Sequence, residues 1–184
     1  AEEGAEVAEV TGGLLLDKAD ATSDAVKSHR SPKILHLATH AYFLPDKEPV
    51  QTSVPMGGIS PIGGTPGMKA VSLQSESPLI RSGIVLAGAN QPNQGGSDDG
   101  YLTALEVAQL DWSGTDLVVV SACESGRGEI RTGEGVYGLK RSIAVAGARS
   151  SLLSLWKVDD QATSAFMQSF YQRLKEGKGK GDAL

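Results

Sequence analysis

Apolar positions fall along the chain in short bursts, and their spacing separates strand-like from helix-like segments. "KILHLATH" carries a compact run that predicts a strand over 33–38, ending in polar residues. "SGIVLAGAN" predicts a strand over 82–90, "LVVVSA" one over 117–122 and "SSLLSLW" one over 150–156. The run at 117–122 does not alternate, the pattern of a strand buried on both faces. "GGLLLDKADAT" predicts a short strand at 13–17 and then a helix from Thr22 to Ser28. Helical spacing marks "TALEVAQLDW", the segment 134–146, and an amphipathic stretch from Asp159 to Lys175 opened by carboxylates.

Apolar strands alternating with helices predict an α/β sandwich built on a mostly parallel central sheet flanked by helices. The pattern assigns residues 13–184 to one domain and 1–12 to the tail of an upstream helix or a linker. Residues 44–82, rich in Pro, Gly and Ser, carry no periodicity and read as a long loop. Because the chain starts at Ala1 and stops abruptly at "GDAL", it reads as part of a longer protein.

The 184 residues, 40% hydrophobic and 21% charged, suffice for a substantial core. A net charge of -5 argues against a nucleic-acid partner, because such a footprint is normally basic. The basic run "RLKEGKGK" at 173–180 is interrupted by glutamate and glycine and reads as a solvated helix end. No apolar run approaches the ~18–20 residues that span a membrane, so no membrane partner is expected, and the expected location is cytoplasmic. A single cysteine forms no internal disulfide.

That cysteine, Cys123, stands where the apolar strand breaks into the glycine-rich "CESGRG". In α/β sheets, chemistry gathers beyond the carboxyl ends of strands, and His40 ends another strand in "LATH". A thiol is a strong nucleophile only as its thiolate, and an adjacent imidazole can take the proton and later return it to a leaving amine. The two residues lie 83 positions apart (123 − 40), so they sit on different strands, as a pair built across a sheet requires. The Cys123 amide and a second donor after His40 are candidates to bind a tetrahedral oxyanion. The competing readings are a small buried hydrophobe for Cys123 and a surface or capping residue for His40. His36, in mid-strand on the same face as His40, fits a buried hydrogen-bonded role, and His29 a helix-end cation.

Two other chemistries fail on context. "GEGVYG" is formally G-x-G-x-x-G, with Asp159 following at 21 positions (159 − 138), but ten residues separate its first glycine from the preceding strand. Nucleotide binding and a nucleotide cofactor are therefore not expected. One cysteine and three scattered histidines offer no metal-ligand spacing, so no metal is expected.

Taken in order, "KILHLATHAYF", "SPLIRSGIVLAG", "LVVVSACESG", "GLKRSIAVAGARSSLLSLWKVDD" and "FYQRL" resemble CHAT domains, caspase-like cysteine peptidases of bacteria and some archaea often carried behind tetratricopeptide repeats. "ACESG" is also similar to the cysteine loop of legumain-type peptidases. The resemblance implies a caspase-like fold, a His40–Cys123 dyad, cleavage of a protein or peptide substrate, no cofactor, and an upstream tetratricopeptide-type domain in the same polypeptide. It implies oxyanion donors at the amides of Cys123 and of the residue after the histidine, where the family usually has glycine and this chain has Ala41. A tryptophan–x–Val–x–Asp run similar to that of separase implies that Asp160 receives a basic substrate side chain, although Asp159 and Asp160 also suit a helix start. Glu124, Asp159 and, in the polar loop, Asp98 or Asp99 are further substrate-binding candidates. The alternative function is a catalytically inactive caspase-like interaction module, favoured by Ala41 and the long loop.

Overall fold

The computed structural model describes residues 2–44, 77, 79–90, 99–124, 134–154 and 160–184. Most of the expected 44–82 loop, the cysteine-loop glycines, Asp98 and Asp159 therefore lie outside the described residues.

Five strands form one sheet in the order β3-β2-β1-β4-β5. They are β1 (Ile34–Phe43), β2 (Ser82–Val85), β3 (Tyr101–Thr103), β4 (Leu117–Glu124) and β5 (Ser151–Leu153). β1, β4 and β5 run parallel, whereas β2 and β3 pair antiparallel, so the sheet is mixed and only its β1–β4–β5 half is parallel. β1 extends beyond the expected 33–38 because residues 40–43 pair with 82–85 of β2. The strand β3, which falls within no expected strand, pairs antiparallel with β2, and Gly100 just before it has φ +73°. A Cβ on Gly100 would sit 2.0 Å from the Ala89 nitrogen, so only glycine fits there without displacing backbone.

The helices are α1 (Glu2–Thr11), α2 (Ser23–Ser28), α3 (Ala104–Val107), α4 (Glu134–Val145), α5 (Asp160–Lys175) and α6 (Lys180–Ala183). The Thr22 hydroxyl caps α2 by accepting from the Ala25 N–H. Thr103 and Glu106 cap α3 reciprocally, each side chain accepting from the other's backbone N–H. Residues 13–17 form no strand: Leu14, Leu15 and Leu16 are exposed, and no described strand pairs with them.

Alternation divides the sheet into two faces. Leu37, Ala41, Ile84, Leu102, Val118 and Val120 pack with Ala104 and Val107 of α3 and Leu139 and Ile143 of α4. On the other face, Leu117 and Val119 pack with Val7 of α1 and with Met167, Phe170 and Tyr171 of α5. Removing each such aliphatic side chain from water contributes about 1.5–3 kcal/mol. β4 is apolar toward both layers, as its lack of alternation predicts.

Candidate functional site

The parallel pairing of β1 with β4 runs from Ile34↔Leu117 to Ala41↔Glu124, and within it His40 is the register partner of Cys123. Neighbouring strands lie about 4.8 Å apart, and residues paired in register belong to the same face of a sheet. The two residues singled out for their chemistry therefore stand side by side next to the carboxyl end of the β1–β4 ladder, while β1 itself continues to Phe43 along β2. His40 is exposed.

Ala41 lies on the opposite face, 2% exposed, in register with Ile84 on one side and Glu124 on the other. Positive φ among described non-glycine residues occurs only at Lys18 and Ser31, so alanine is accommodated at position 41 without left-handed strain. Glu124 closes β4 in register with Ala41 and not with His40.

Asp160 is the first residue of α5. Lys180, beyond the other end of that helix, donates to the Asp116 carbonyl at 2.7 Å and to Ser150 Oγ at 2.8 Å, just before β4 and β5 begin. α5 therefore runs antiparallel to those strands, and its first residue lies toward their carboxyl ends. From Tyr171, which meets His36, to Asp160 the helix rises about 16 Å, and from His36 to His40 the strand rises about 13 Å.

Behind the pair, on the same face, lies a hydrogen-bonded cluster. His36 Nε2 is 3.1 Å from Glu3 Oε1 and its Nδ1 is 2.9 Å from the Tyr171 hydroxyl. Ser121 Oγ donates to Glu3 Oε2 at 3.0 Å. With a carboxylate at Nε2, that nitrogen carries the proton, and Nδ1 accepts from the phenol. Burial, and then the Glu3 carboxylate, push the Tyr171 phenol far above its ordinary pKa, which keeps it a donor. His36 thus has the buried, hydrogen-bonded role that its mid-strand place suggests. Glu3 lies in no motif, Ser121 and Tyr171 lie in quoted segments that assign them no role, and only the packing of α1 and α5 on the sheet brings the three together.

Toward β2, Tyr42 shares the face of His40 and lies across Gly83, where a Cβ would meet the tyrosine hydroxyl at 2.8 Å and the Leu102 carbonyl at 2.7 Å. Tyr42 meets Tyr101 edge to face, with centroids 5.9 Å apart. Burial raises its pKa, as do the Glu106 and Asp99 carboxylates and Tyr101. Asp99 itself accepts from the Tyr101 N–H at 3.0 Å, which fixes the start of β3. His29 caps the end of α2 by a contact of 2.7 Å between Nδ1 and the Ala25 carbonyl. Among the described residues, no group of three or more His, Cys, Asp or Glu is placed to hold a metal ion.

The family profile described as CHAT domain matches residues 1–184. Over 76 residues the chain is 36% identical to tetratricopeptide repeat protein 28 of Mus musculus, a span of 41% of this chain and 3% of that protein. Its Homo sapiens counterpart is 35% identical over 83 residues, covering 45% of this chain and 3% of the relative. The chain thus spans only a small part of the curated relatives it matches. No solved structure matches it.

Proposed function

The chain belongs to the CHAT-domain family, and from that premise we propose that it is a cysteine endopeptidase acting through His40 and Cys123. The observation that carries this reading is the register pair His40↔Cys123 next to the carboxyl end of the parallel β1–β4 ladder. In the proposed reaction His40 takes the thiol proton and the Cys123 sulfur attacks the scissile carbonyl carbon. The resulting oxyanion is held by the amides of Ala41 and Cys123. The imidazolium then protonates the leaving amine as the C–N bond breaks, leaving a thioester. Water, deprotonated by His40, cleaves the thioester and restores the thiol.

The Leu44 N–H donates to the Arg81 carbonyl, and by alternation along β1 the Ala41 amide is directed not toward Ile84 but into the β1–β4 ladder. Use of that donor requires the end of the ladder to give way, which makes the resting domain latent and suits control by an upstream repeat domain in the same polypeptide. α1 would form the junction to that domain, with residues 13–184 as the peptidase domain. Asp160, the first residue of α5, would select Arg or Lys before the scissile bond, with Asp159 and Glu124 as lesser contributors. No described helix is long and apolar enough to cross a membrane, and a cytoplasmic site of action is part of the same proposal.

The test is labelling by peptide acyloxymethyl ketones that vary the residue before the warhead, with and without the upstream region. Labelling of Cys123 that disappears in His40→Ala, together with loss of cleavage in Cys123→Ala, is the expected result. An unlabelled Cys123 in every state would assign the domain to the inactive interaction module instead.

A further inference from the structure

We infer that Glu3 is a positioning residue for the His40–Cys123 pair, an inference that rests on the peptidase reading for its catalytic consequence. The Glu3 carboxylate straddles β1 and β4. One oxygen meets His36 Nε2 at 3.1 Å and the other accepts from Ser121 Oγ at 3.0 Å. These are the two strands that carry the pair, gripped on the same face, four residues before His40 and two before Cys123. Along a strand those separations are about 13 Å and about 7 Å.

The grip is directional at each end. The His36 side chain is 8% exposed and that of Glu3 15%, so the contact is withdrawn from competing water. Tyr171 holds the far side of the imidazole at 2.9 Å, which fixes the ring against α5. On α1, the Glu6 carboxylate accepts from the Ser164 hydroxyl of α5, so the helix bearing Glu3 is itself tied down. The same layer between sheet and helices holds the apolar cluster of Val7, Leu117, Val119, Met167 and Phe170. Leucine at position 3 would bury apolar surface there without desolvating a charge. What leucine cannot supply is a pair of acceptors that fix one strand's side chain relative to the other's.

Glu3 thus sets the relative placement of β1 and β4 just before their functional ends, and movement of α1 is felt at the pair. An agent that lifts α1 would release the ladder at residues 38–41 and 121–124, the segment that must loosen before the Ala41 amide can serve an oxyanion.

The experiment compares Glu3→Leu, Glu3→Gln and Ser121→Ala with Val7→Ala, which weakens the packing of α1 but leaves the carboxylate bridge in place. Amide hydrogen exchange is read at 38–41 and 121–124, and alkylation of Cys123 by iodoacetamide is followed with His40→Ala as reference. Glu3→Leu and Ser121→Ala are expected to raise exchange in those two segments by about tenfold over Val7→Ala. Glu3→Gln, which keeps a hydrogen-bonding head group, should restore part of the protection. Alkylation in Glu3→Leu should shift toward the His40→Ala rate. Exchange in all variants no greater than in Val7→Ala would overturn the inference, and Ser121→Ala supplies the same comparison if Glu3→Leu does not fold. Wild-type and His40→Ala proteins alkylated at one rate would count against the peptidase reading alone, because the exchange measurement requires no catalysis.

Discussion

Replacing Tyr171 with phenylalanine removes a single hydroxyl from one of the most enclosed parts of the molecule. Tyr171 is 2% exposed, and its O–H reaches His36 Nδ1 at 2.9 Å. The ring contacts survive: edge-to-face packing on Phe170 at 5.3 Å and on His36 at 5.6 Å does not involve the oxygen. What is lost is the donor to a buried nitrogen whose other side is committed to Glu3. Leaving such a group unsatisfied costs about 1–3 kcal/mol, more than the net worth of an average hydrogen bond. For a chain of 184 residues this lowers Tm by about 2–12 °C. The assay is urea and thermal unfolding of wild type, Tyr171→Phe, His36→Ala and the double variant. In the His36→Ala background the acceptor is already gone, so Tyr171→Phe should cost little, giving a coupling of about 1–2 kcal/mol. A loss of equal size in both backgrounds would rule this account out, since it would place the effect in the ring and not in the hydrogen bond.

Burial raises the Glu106 carboxyl, but the Thr103 N–H, the Lys27 ammonium at 3.0 Å and the Thr103 hydroxyl outweigh it, so the folded pKa lies below the ordinary value of 4.5. Its contribution is therefore present above the unfolded pKa and lost as pH falls through the folded one, and Glu106→Gln should flatten the acid limb of stability against pH. Thr103→Ala removes the cap of α3 and should cost about 1 kcal/mol in chemical unfolding. Gly100→Ala places a Cβ 2.6 Å from the Gly88 carbonyl carbon at a positive-φ position, so the paired strands β2 and β3 should lose hydrogen-exchange protection before the parallel half of the sheet. Ile84→Ala, at a fully buried position, should cost about 2–5 kcal/mol by urea denaturation.

The order of residues dictates the alternation of strands and helices, and with it an α/β layer structure, because apolar spacing fixes which elements can bury a face. It dictates that β4 is buried on both faces, that His36 is internal, and that a thiol and an imidazole lie on two different strands, although β1 runs past His40 to Phe43. Propensity sets α5 nearly to the residue, since the carboxylate start and the apolar stripe agree. It misplaces a strand on Leu14–Leu16, where three leucines find no neighbouring strand and stay exposed. It also leaves β3 unpredicted, for a three-residue strand exists only through its partner β2.

The register, by contrast, comes from tertiary packing. A slip of one residue between β1 and β4 would put His40 beside Ala122 or Glu124 and on the opposite face from Cys123, and nothing local to either strand forbids it. Packing of α1 and α5 selects one register by burying Leu117 and Val119, and the Glu3 carboxylate bridges His36 and Ser121 across it. The residue types for the chemistry are local facts of the chain. Their adjacency is a property of the sheet, because long-range pairing brings together residues that no spacing in sequence connects.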